Sequence, residues 1–218
     1  MAGIQDFVIF EDDFLGAKAI TAVGAEGQPW EATYAAGGTT TIGGINGELT
    51  IANAVATEIQ NNCVAFEDDL NFDIDLLDHI EMRVKAGQAA LDATSMLAFG
   101  LCSARNDVID SLTAHASFRV IGATTTVFCE TDDGDNDNDD VSTGLSLVAT
   151  YRKFVISFAG GTSDVRFFID GQRVCASTTF DMSGYTAGLQ PYMQIQKTSD
   201  ANVDAFVIDY VRIVSRRA

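Results

Sequence analysis

The densest set of chemically active side chains is a run of six aspartates within residues 132–140. Alternate aspartates provide oxygen ligands at the start of a calcium-binding loop, but here Asp140 replaces the loop glycine and Ser146 the final glutamate. Like charges this close repel one another unless water or cations screen them, which favours a solvated, mobile loop after a strand ending at Glu130. The alternative is a Ca²⁺ or Mg²⁺ site formed by Asp133, Asp135, Asp137 and Asp139.

Trp30 and Tyr34 form the second candidate site. Two aromatic side chains four residues apart could provide a platform on which a sugar ring stacks. A single tryptophan close to a proline is more typical of packing at the edge of a β-sandwich. Packing is therefore the favoured interpretation, and carbohydrate binding at Trp30 and Tyr34 is the alternative.

The histidines and cysteines add no recognisable catalytic or metal-binding motif. His79 and His115 belong to no Ser-His-Asp or Cys-His arrangement. The cysteines are far apart and form no C-x-x-C motif, so we expect no zinc site and no other cofactor. We expect the four cysteines to be buried free thiols, as in a chain made in a reducing cytosol. They are Cys63, Cys102, Cys129 and Cys175.

Short β-rich segments separated by Gly, Asn, Asp and Ser must position these groups. Helical periodicity is nearly absent, and no Pro-rich or Ser-rich linker divides the 218 residues. We therefore expect one all-β domain over residues 1–218, an antiparallel sandwich, with residues 1–6 as an N-terminal arm. The predicted strands are 6–11, 39–43, 47–53, 57–67, 78–86, 94–102, 115–121, 124–130, 150–159, 164–170, 172–179, 189–198 and 203–215.

The clearest local signal is a hairpin around Asp170-Gly171. Both residues tolerate the positive φ of a type I′ turn, whose twist matches the flanking strands. The two-residue loop predicts three cross-strand pairs, Ile169–Gln172, Phe168–Arg173 and Phe167–Val174. Val165, Phe167, Val174 and Ala176 are expected on the core face. The last run, 203–214, is apolar at both parities, as in an interior strand.

The net charge of the chain limits the classes of partner that it can bind. Asp and Glu number 31 against 13 Lys and Arg, a net charge of −18 that repels phosphate backbones, so we expect no nucleic-acid partner. The charge is uneven, since residues 1–81 hold 15 acids and one base, whereas residues 82–218 hold 16 acids and 12 bases. One interpretation is that the less acidic region, residues 82–218, contacts an acidic partner or a second copy of the chain. The alternative is that the surface charge serves solubility. The sequence shows no secretory signal and no long apolar run, so no membrane association is expected.

The order of several motifs resembles the concanavalin A-like, or laminin-G-like, jelly-roll sandwiches. The resemblance runs from about residue 7 to the C-terminus, and the short, acidic, signal-less form is most similar to bacteriophage capsid-decoration or fibre proteins. The motifs are Phe10-Glu11-Asp12-Asp13-Phe14, Trp30, Gly47-Glu48-Leu49-Thr50-Ile51, Tyr151-Arg152-Lys153-Phe154-Val155-Ile156, Phe167-Phe168-Ile169-Asp170-Gly171-Gln172 and Phe206-Val207-Ile208-Asp209-Tyr210-Val211-Arg212.

The resemblance implies a non-enzymatic virion structural protein, made in the host cytoplasm and bound on the capsid surface. The expected partners are the major capsid protein, other virion proteins and sister copies, with a trimer favoured. A lectin-like module that binds a glycan on a phage head or fibre is the first alternative. A glucanase-like hydrolase is the second, because Asp73, Asp75 and Asp78 have the spacing of the Glu-x-Asp-x-x-Glu motif of laminarinase-type glucanases. Both glutamates are aspartates here, so we expect no catalytic residues.

Overall fold

The computed structural model describes residues 6–15, 20, 29–35, 37–44, 46–54, 59–198 and 203–217. Within these residues the chain forms sixteen β-strands and one short 3₁₀ helix, Ile109–Ser111. No helix in this part of the chain has the length and apolar character needed to cross a membrane. The strands form two eight-stranded antiparallel sheets.

The first sheet has the order β14-β13-β12-β7-β16-β4-β3, and β1 also pairs with β16. The C-terminal strand β16 is interior, because β7 lies on one side of it and both β1 and β4 lie on the other. The strands are β1 Phe7–Asp12, β3 Gly38–Gly43, β4 Glu48–Asn53, β7 Leu77–Ala86, β12 Arg152–Ser157, β13 Arg166–Ile169, β14 Gln172–Val174 and β16 Ala205–Arg216.

The second sheet has the order β11-β10-β9-β8-β15-β5-β2, and the two-residue strand β6 pairs with β15. Strand β15 is central in this sheet, paired with β5 on one side and β8 on the other. The strands are β2 Glu31–Ala35, β5 Gln60–Ala65, β6 Phe72–Asp73, β8 Ser95–Cys102, β9 His115–Ile121, β10 Thr126–Asp132, β11 Asp137–Ser146 and β15 Gly188–Lys197.

The core lies between the two sheets and is rich in phenylalanine. Phe99 and Phe118 of the second sheet meet Phe154 and Phe167 of the first, with ring centroids 4.9 Å apart for Phe99–Phe154 and 5.2 Å for Phe118–Phe167. These rings are at most 1% exposed. Full burial of such a side chain contributes roughly 1.5–3 kcal/mol, so these contacts hold the sheets face to face.

All thirteen predicted strands are present, and three further strands were missed: β2, β6 and β11. The predicted hairpin is confirmed in each of its three pairs, and its two loop residues have φ of 51° and 80°. Ala176 was wrongly expected in the core. Strand β14 ends at Val174, and the chain turns at Cys175 with φ 51°, so Ala176 is exposed.

Candidate functional site

The outer face of the second sheet is unusually polar for a buried surface. Along β15, residues that face the core alternate with Gln190, Gln194 and Gln196, which point to the other face and are at most 5% exposed. Buried amides must find hydrogen-bond partners, since an unpaired one costs roughly 1–3 kcal/mol. These glutamines find them in a segment that lies across the sheet.

That segment is the cover segment, residues 103–114, which connects β8 to β9 and contains the 3₁₀ helix. Gln190 Nε2 donates to the Ser103 carbonyl at 2.8 Å, and Gln194 Nε2 donates to the Asp107 carbonyl at 3.0 Å. The Ile109 N–H in turn donates to Gln196 Oε1 at 2.9 Å. The cover segment is therefore bound to the sheet through its own main chain.

Apolar side chains complete this attachment. Ile109 and Leu112 are 2% and 4% exposed and belong to a small buried cluster on the outer face of the sheet. The other members of the cluster are Cys63, Ala65, Ala98, Cys102 and Tyr192. The middle of this sheet face is thus filled by the protein's own chain rather than left as an open groove.

Beside the cover segment, Arg119 of β9 is buried among three carboxylates. Its guanidinium lies 2.9 Å from Glu130 Oε1, 2.6 Å from Asp110 Oδ1 and 3.6 Å from Asp140 Oδ1. Glu130 is 3% exposed, and its other oxygen lies 3.8 Å from Nε2 of His115. Because Asp110 belongs to the 3₁₀ helix, Arg119 joins the cover segment to the sheet.

The environment of this cluster shifts the pKa values of two neighbouring carboxyls, Glu130 and Asp140, in opposite directions. Burial opposes the charged form of Glu130, but His115 and the positive charge of Arg119 outweigh it and lower the pKa of Glu130. Burial together with the hydrogen bond to Glu130 raises the pKa of Asp140 to about 6. One carboxyl is therefore held ionised while its neighbour can carry a proton near neutral pH.

These groups line a pocket of about 270 Å³ between the cover segment and strands β9–β11. Its acids outnumber its bases. Asp110, Glu130, Asp132, Asp137, Asp139 and Asp140 line it, against Arg119 and His115. Burial and the charges of Asp139 and Asp132 raise the pKa of Asp137, which shows that the carboxylates repel one another. The arrangement favours cationic or hydroxyl-rich groups over anions.

A second pocket, of about 350 Å³, lies on the other side of the cover segment beside β2. It combines one aromatic ring, one guanidinium and three carboxylates, from Tyr34, Arg105, Glu31, Glu67 and Asp68. Burial and the charge of Glu67 raise the pKa of Glu31. A ring beside several hydrogen-bonding groups has the chemistry to hold a polar, hydroxyl-rich molecule.

The structure separates the two predicted sugar-binding aromatics. Tyr34 lines the second pocket, but Trp30 is 4% exposed and its ring packs 4.6 Å from that of Phe66. The Trp30 indole N–H donates to Asp12 Oδ2 at 2.8 Å. Trp30 is a core residue, so the two rings do not form the sugar-stacking platform that was the alternative to packing.

The predicted metal ligands also separate. Asp133 is buried, and its carboxylate accepts backbone N–H groups of Asp135, Asn136 and Gly184 at 2.9, 2.6 and 2.7 Å. Burial opposes its charge, but these donors outweigh burial and lower the pKa of Asp133. Within the described ranges no three or more His, Cys, Asp or Glu side chains are arranged to hold a metal ion. Asp133 instead shapes a turn.

The prediction of a loop over residues 132–140 was also wrong in part. Asp137 pairs with Asp132 and Asn138 with Thr131, so these residues begin the edge strand β11. Asp135 and Asp139 are exposed. The acidic run is a β-hairpin whose second strand carries its charges at the rim of the first pocket.

The three glucanase-like aspartates lie where β6 leads into β7. Asp73 ends β6, and its Oδ1 accepts the N–H of Asp75 at 3.0 Å, which forms a local turn. Asp78 follows at the start of β7, 2.6 Å from Nδ1 of His79. Asp73 and Asp75 are exposed. The three residues therefore span the end of β6, a turn and the start of β7 rather than one strand.

Sequence reasoning did not identify Arg119, Glu130 or the β15 glutamines as a site. The glutamines did leave a signal, because residues 190–196 read Gln-Pro-Tyr-Met-Gln-Ile-Gln, with polar residues recurring on one parity of a predicted strand. Arg119 and Glu130 are eleven residues apart, and only the β9–β10 register brings them together.

No protein-family model matches the sequence, and no curated protein matches it. Solved structures do match the fold. A laminarinase from Flavobacterium sp. has a TM-score of 0.64 and 14% sequence identity, covering 95% of this chain and 99% of that one. The carbohydrate recognition domain of Emp47p has a TM-score of 0.61 and 11% identity, covering 94% of each chain.

A carbohydrate esterase from the Shiga toxin-encoding bacteriophage phi24B is also similar, with a TM-score of 0.52 and 15% identity over 88% of this chain and 91% of that one. At such identities the likeness establishes architecture rather than activity. The chain is an antiparallel β-sandwich of the concanavalin A-like jelly-roll type, as its sequence predicted. Carbohydrate-binding and carbohydrate-cleaving proteins share this fold, and one of the similar structures comes from a phage.

Proposed function

We propose that the protein is a non-enzymatic structural component of a bacteriophage particle, a decoration or cement protein on the outside of the capsid. It binds the major capsid protein through the edge of β1. The observation that carries the proposal is the apolar surface of this strand, where Phe7, Val8 and Ile9 are 44%, 40% and 54% exposed. Among the described residues β1 pairs only with β16, and natural proteins usually protect such an edge, because an open edge pairs with other chains.

The main chain of β1 supports the same proposal. The Asp6 carbonyl accepts the N–H of Arg217, so it points towards the side of β16. Strand alternation then turns the N–H and C=O groups of Phe7, Ile9 and Glu11 away from β16. An extended segment of the shell protein could add there as a further strand. Repeated weak contacts of this kind, in trimers at symmetry axes, would stabilise a shell by multivalency.

The experiment is mass spectrometry and imaging of purified particles, followed by rebinding of purified variants to particles that lack the protein. Ile9→Lys places a charge in the apolar edge, and we expect it to abolish rebinding. Ile59→Lys is the matched control, because Ile59 is 60% exposed and lies away from β1. Ile59 precedes β5, whereas Phe66, whose ring contacts Phe10 of β1, follows the opposite end of that strand. Absence of the protein from mature particles, or equal rebinding of the Ile9→Lys variant, would overturn the proposal.

The second candidate function is carbohydrate binding at the second pocket. The presence of Tyr34 beside Glu31 and Arg105 favours it, as does the fold shared with the Emp47p carbohydrate recognition domain. A glycan array tests it: signals lost in Tyr34→Ala and retained in Tyr185→Phe, which leaves this pocket intact, would support binding. An array without any signal would dismiss it.

A further inference from the structure

The fold brings together two cysteines that are 46 residues apart in sequence. Cys129 lies on the core-facing side of β10 in the second sheet, and Cys175 follows β14 at the edge of the first sheet. Their Sγ atoms are 3.5 Å apart. A disulfide needs a separation near 2 Å, so a small side-chain adjustment would join them.

We propose that Cys129 and Cys175 are a redox-active pair that closes to a disulfide between the two sheets in an oxidising environment. The inference does not depend on the proposed function. Cytosolic glutathione and thioredoxin keep such pairs reduced, so the bridge would form only outside a reducing cytosol.

The two thiols differ in access, which sets the order of reaction. Cys129 is 0% exposed, whereas Cys175 is partly exposed. Burial and the contact with Cys175 raise the pKa of Cys129, and the hydrogen bond with Cys129 lowers the pKa of Cys175. Thiolates rather than thiols attack disulfides, so Cys175 is the entry point and Cys129 the resolving residue.

The reaction balances with a small-molecule disulfide such as oxidised glutathione. The Cys175 thiolate attacks one sulfur, forms a mixed disulfide and releases one small thiolate. Cys129 then loses its proton, attacks Cys175 Sγ and releases the second small thiol. Two protein thiols are oxidised to one disulfide, and one small disulfide is reduced to two thiols.

The bridge would matter because of where it lies. Cys175 Sγ is 3.4 Å from the Val141 carbonyl and 3.5 Å from that of Ser142, so the turn after β14 rests against β11. A covalent bond here would close the side of the sandwich at which both sheets end in short or exposed strands, β14 and β11. Linking residues 46 apart in sequence also restricts the unfolded chain.

Oxidation of the full-length protein with oxidised glutathione tests the proposal. We expect the number of titratable thiols in denaturant to fall from four to two, with peptide mapping by mass spectrometry showing a Cys129–Cys175 cross-link. The melting temperature of the oxidised protein should rise by about 10 °C, given the loop length and the chain length. Four remaining thiols, or a bridge that involves Cys63 or Cys102, would overturn the proposal.

Cysteine variants distinguish the role of Cys175 as the entry point from that of Cys129 as the resolving residue. The double variant Cys63→Ala/Cys102→Ala is the matched control, because it removes two buried thiols and keeps the pair, and it should oxidise like the wild type. Cys129→Ala should stop at a stable glutathione adduct on Cys175, and Cys175→Ala should form no adduct. Should the Cys129→Ala variant fail to fold, the peptide map of the wild type still decides between the two outcomes.

Discussion

Replacement of Arg119 by Met gives the sharpest test of how the cover segment is held. Arg119 and Glu130 are 8% and 3% exposed and lie 2.9 Å apart, so removing the guanidinium leaves a buried carboxylate whose remaining neighbours are His115 and Asp140. Breaking a buried pair from one side costs about 3–5 kcal/mol. For a chain of this length that corresponds to a fall in melting temperature of about 10 °C.

The pH dependence identifies the cause. In the wild type the pKa of Glu130 is lowered on folding, so its contribution to stability is present above its unfolded pKa and is lost as the pH falls through the folded pKa. Without Arg119 the buried carboxyl should instead have a raised pKa and destabilise the fold as the pH rises. The difference between wild type and Arg119→Met should therefore be largest at about pH 7.5 and smaller at about pH 4.

Urea unfolding at both pH values measures this difference. The double variant Arg119→Met/Glu130→Gln should recover part of the loss at neutral pH, since it removes the unpaired charge. Arg105→Met is the control, because the Arg105–Asp107 pair is half exposed and should change stability by less than about 1 kcal/mol. An equal loss at both pH values, or a double variant no more stable than the single one, would refute the reasoning.

Three further changes test the neighbouring groups. The pKa of Asp140 is raised to about 6, so its ionisation costs stability as the pH rises. Asp140→Asn should therefore raise stability at neutral pH by about 1 kcal/mol in thermal melts, a figure reduced because the Asp140 side chain is 43% exposed. The same variant should have no effect at about pH 4. Asp133→Ala should lose about 2 kcal/mol in urea unfolding because it removes the charged acceptor of three backbone N–H groups, whereas exposed Asp135→Ala should stay within about 0.5 kcal/mol. Ile109→Ala should cost about 2–4 kcal/mol and speed hydrogen exchange in the cover segment; unchanged exchange there would contradict its anchoring role.

The parts of the fold predicted from sequence are those governed by short-range rules. The hairpin at Asp170-Gly171 follows from two positive-φ positions between alternating strands, and all three of its pairs are present. Strand alternation also bears on the two candidate sugar-binding aromatics. Trp30, Ala32 and Tyr34 share one parity, and Ala32 is fully buried, so strand alternation directs both rings towards the core, where Trp30 is buried and Tyr34 is partly buried.

The parts that were missed depend on register between strands. Strand β11 carries acidic and exposed residues that read as loop, and its pairing with β10 is broken by two irregularities in register. The sequence of such a strand gives little indication of β-structure by itself, because its stability depends on a partner strand that only the fold identifies. The Cys129–Cys175 contact and the Arg119 cluster have the same origin, since each joins residues that no local pattern relates.

The charged side chains are also distributed unevenly over the fold. On the first sheet, basic side chains lie beside acids: Arg83–Asp209, Lys85–Glu48, Lys153–Glu81 and Arg212–Glu11 are 2.6, 3.0, 3.1 and 3.6 Å apart. The two pockets beside the cover segment instead hold nine acids and two arginines. Two copies that met through the pocket side would repel each other at low salt, whereas the first sheet and its β1 edge present nearly balanced charge. Under the proposed function, this asymmetry favours attachment through β1 and leaves the acidic face directed towards solvent.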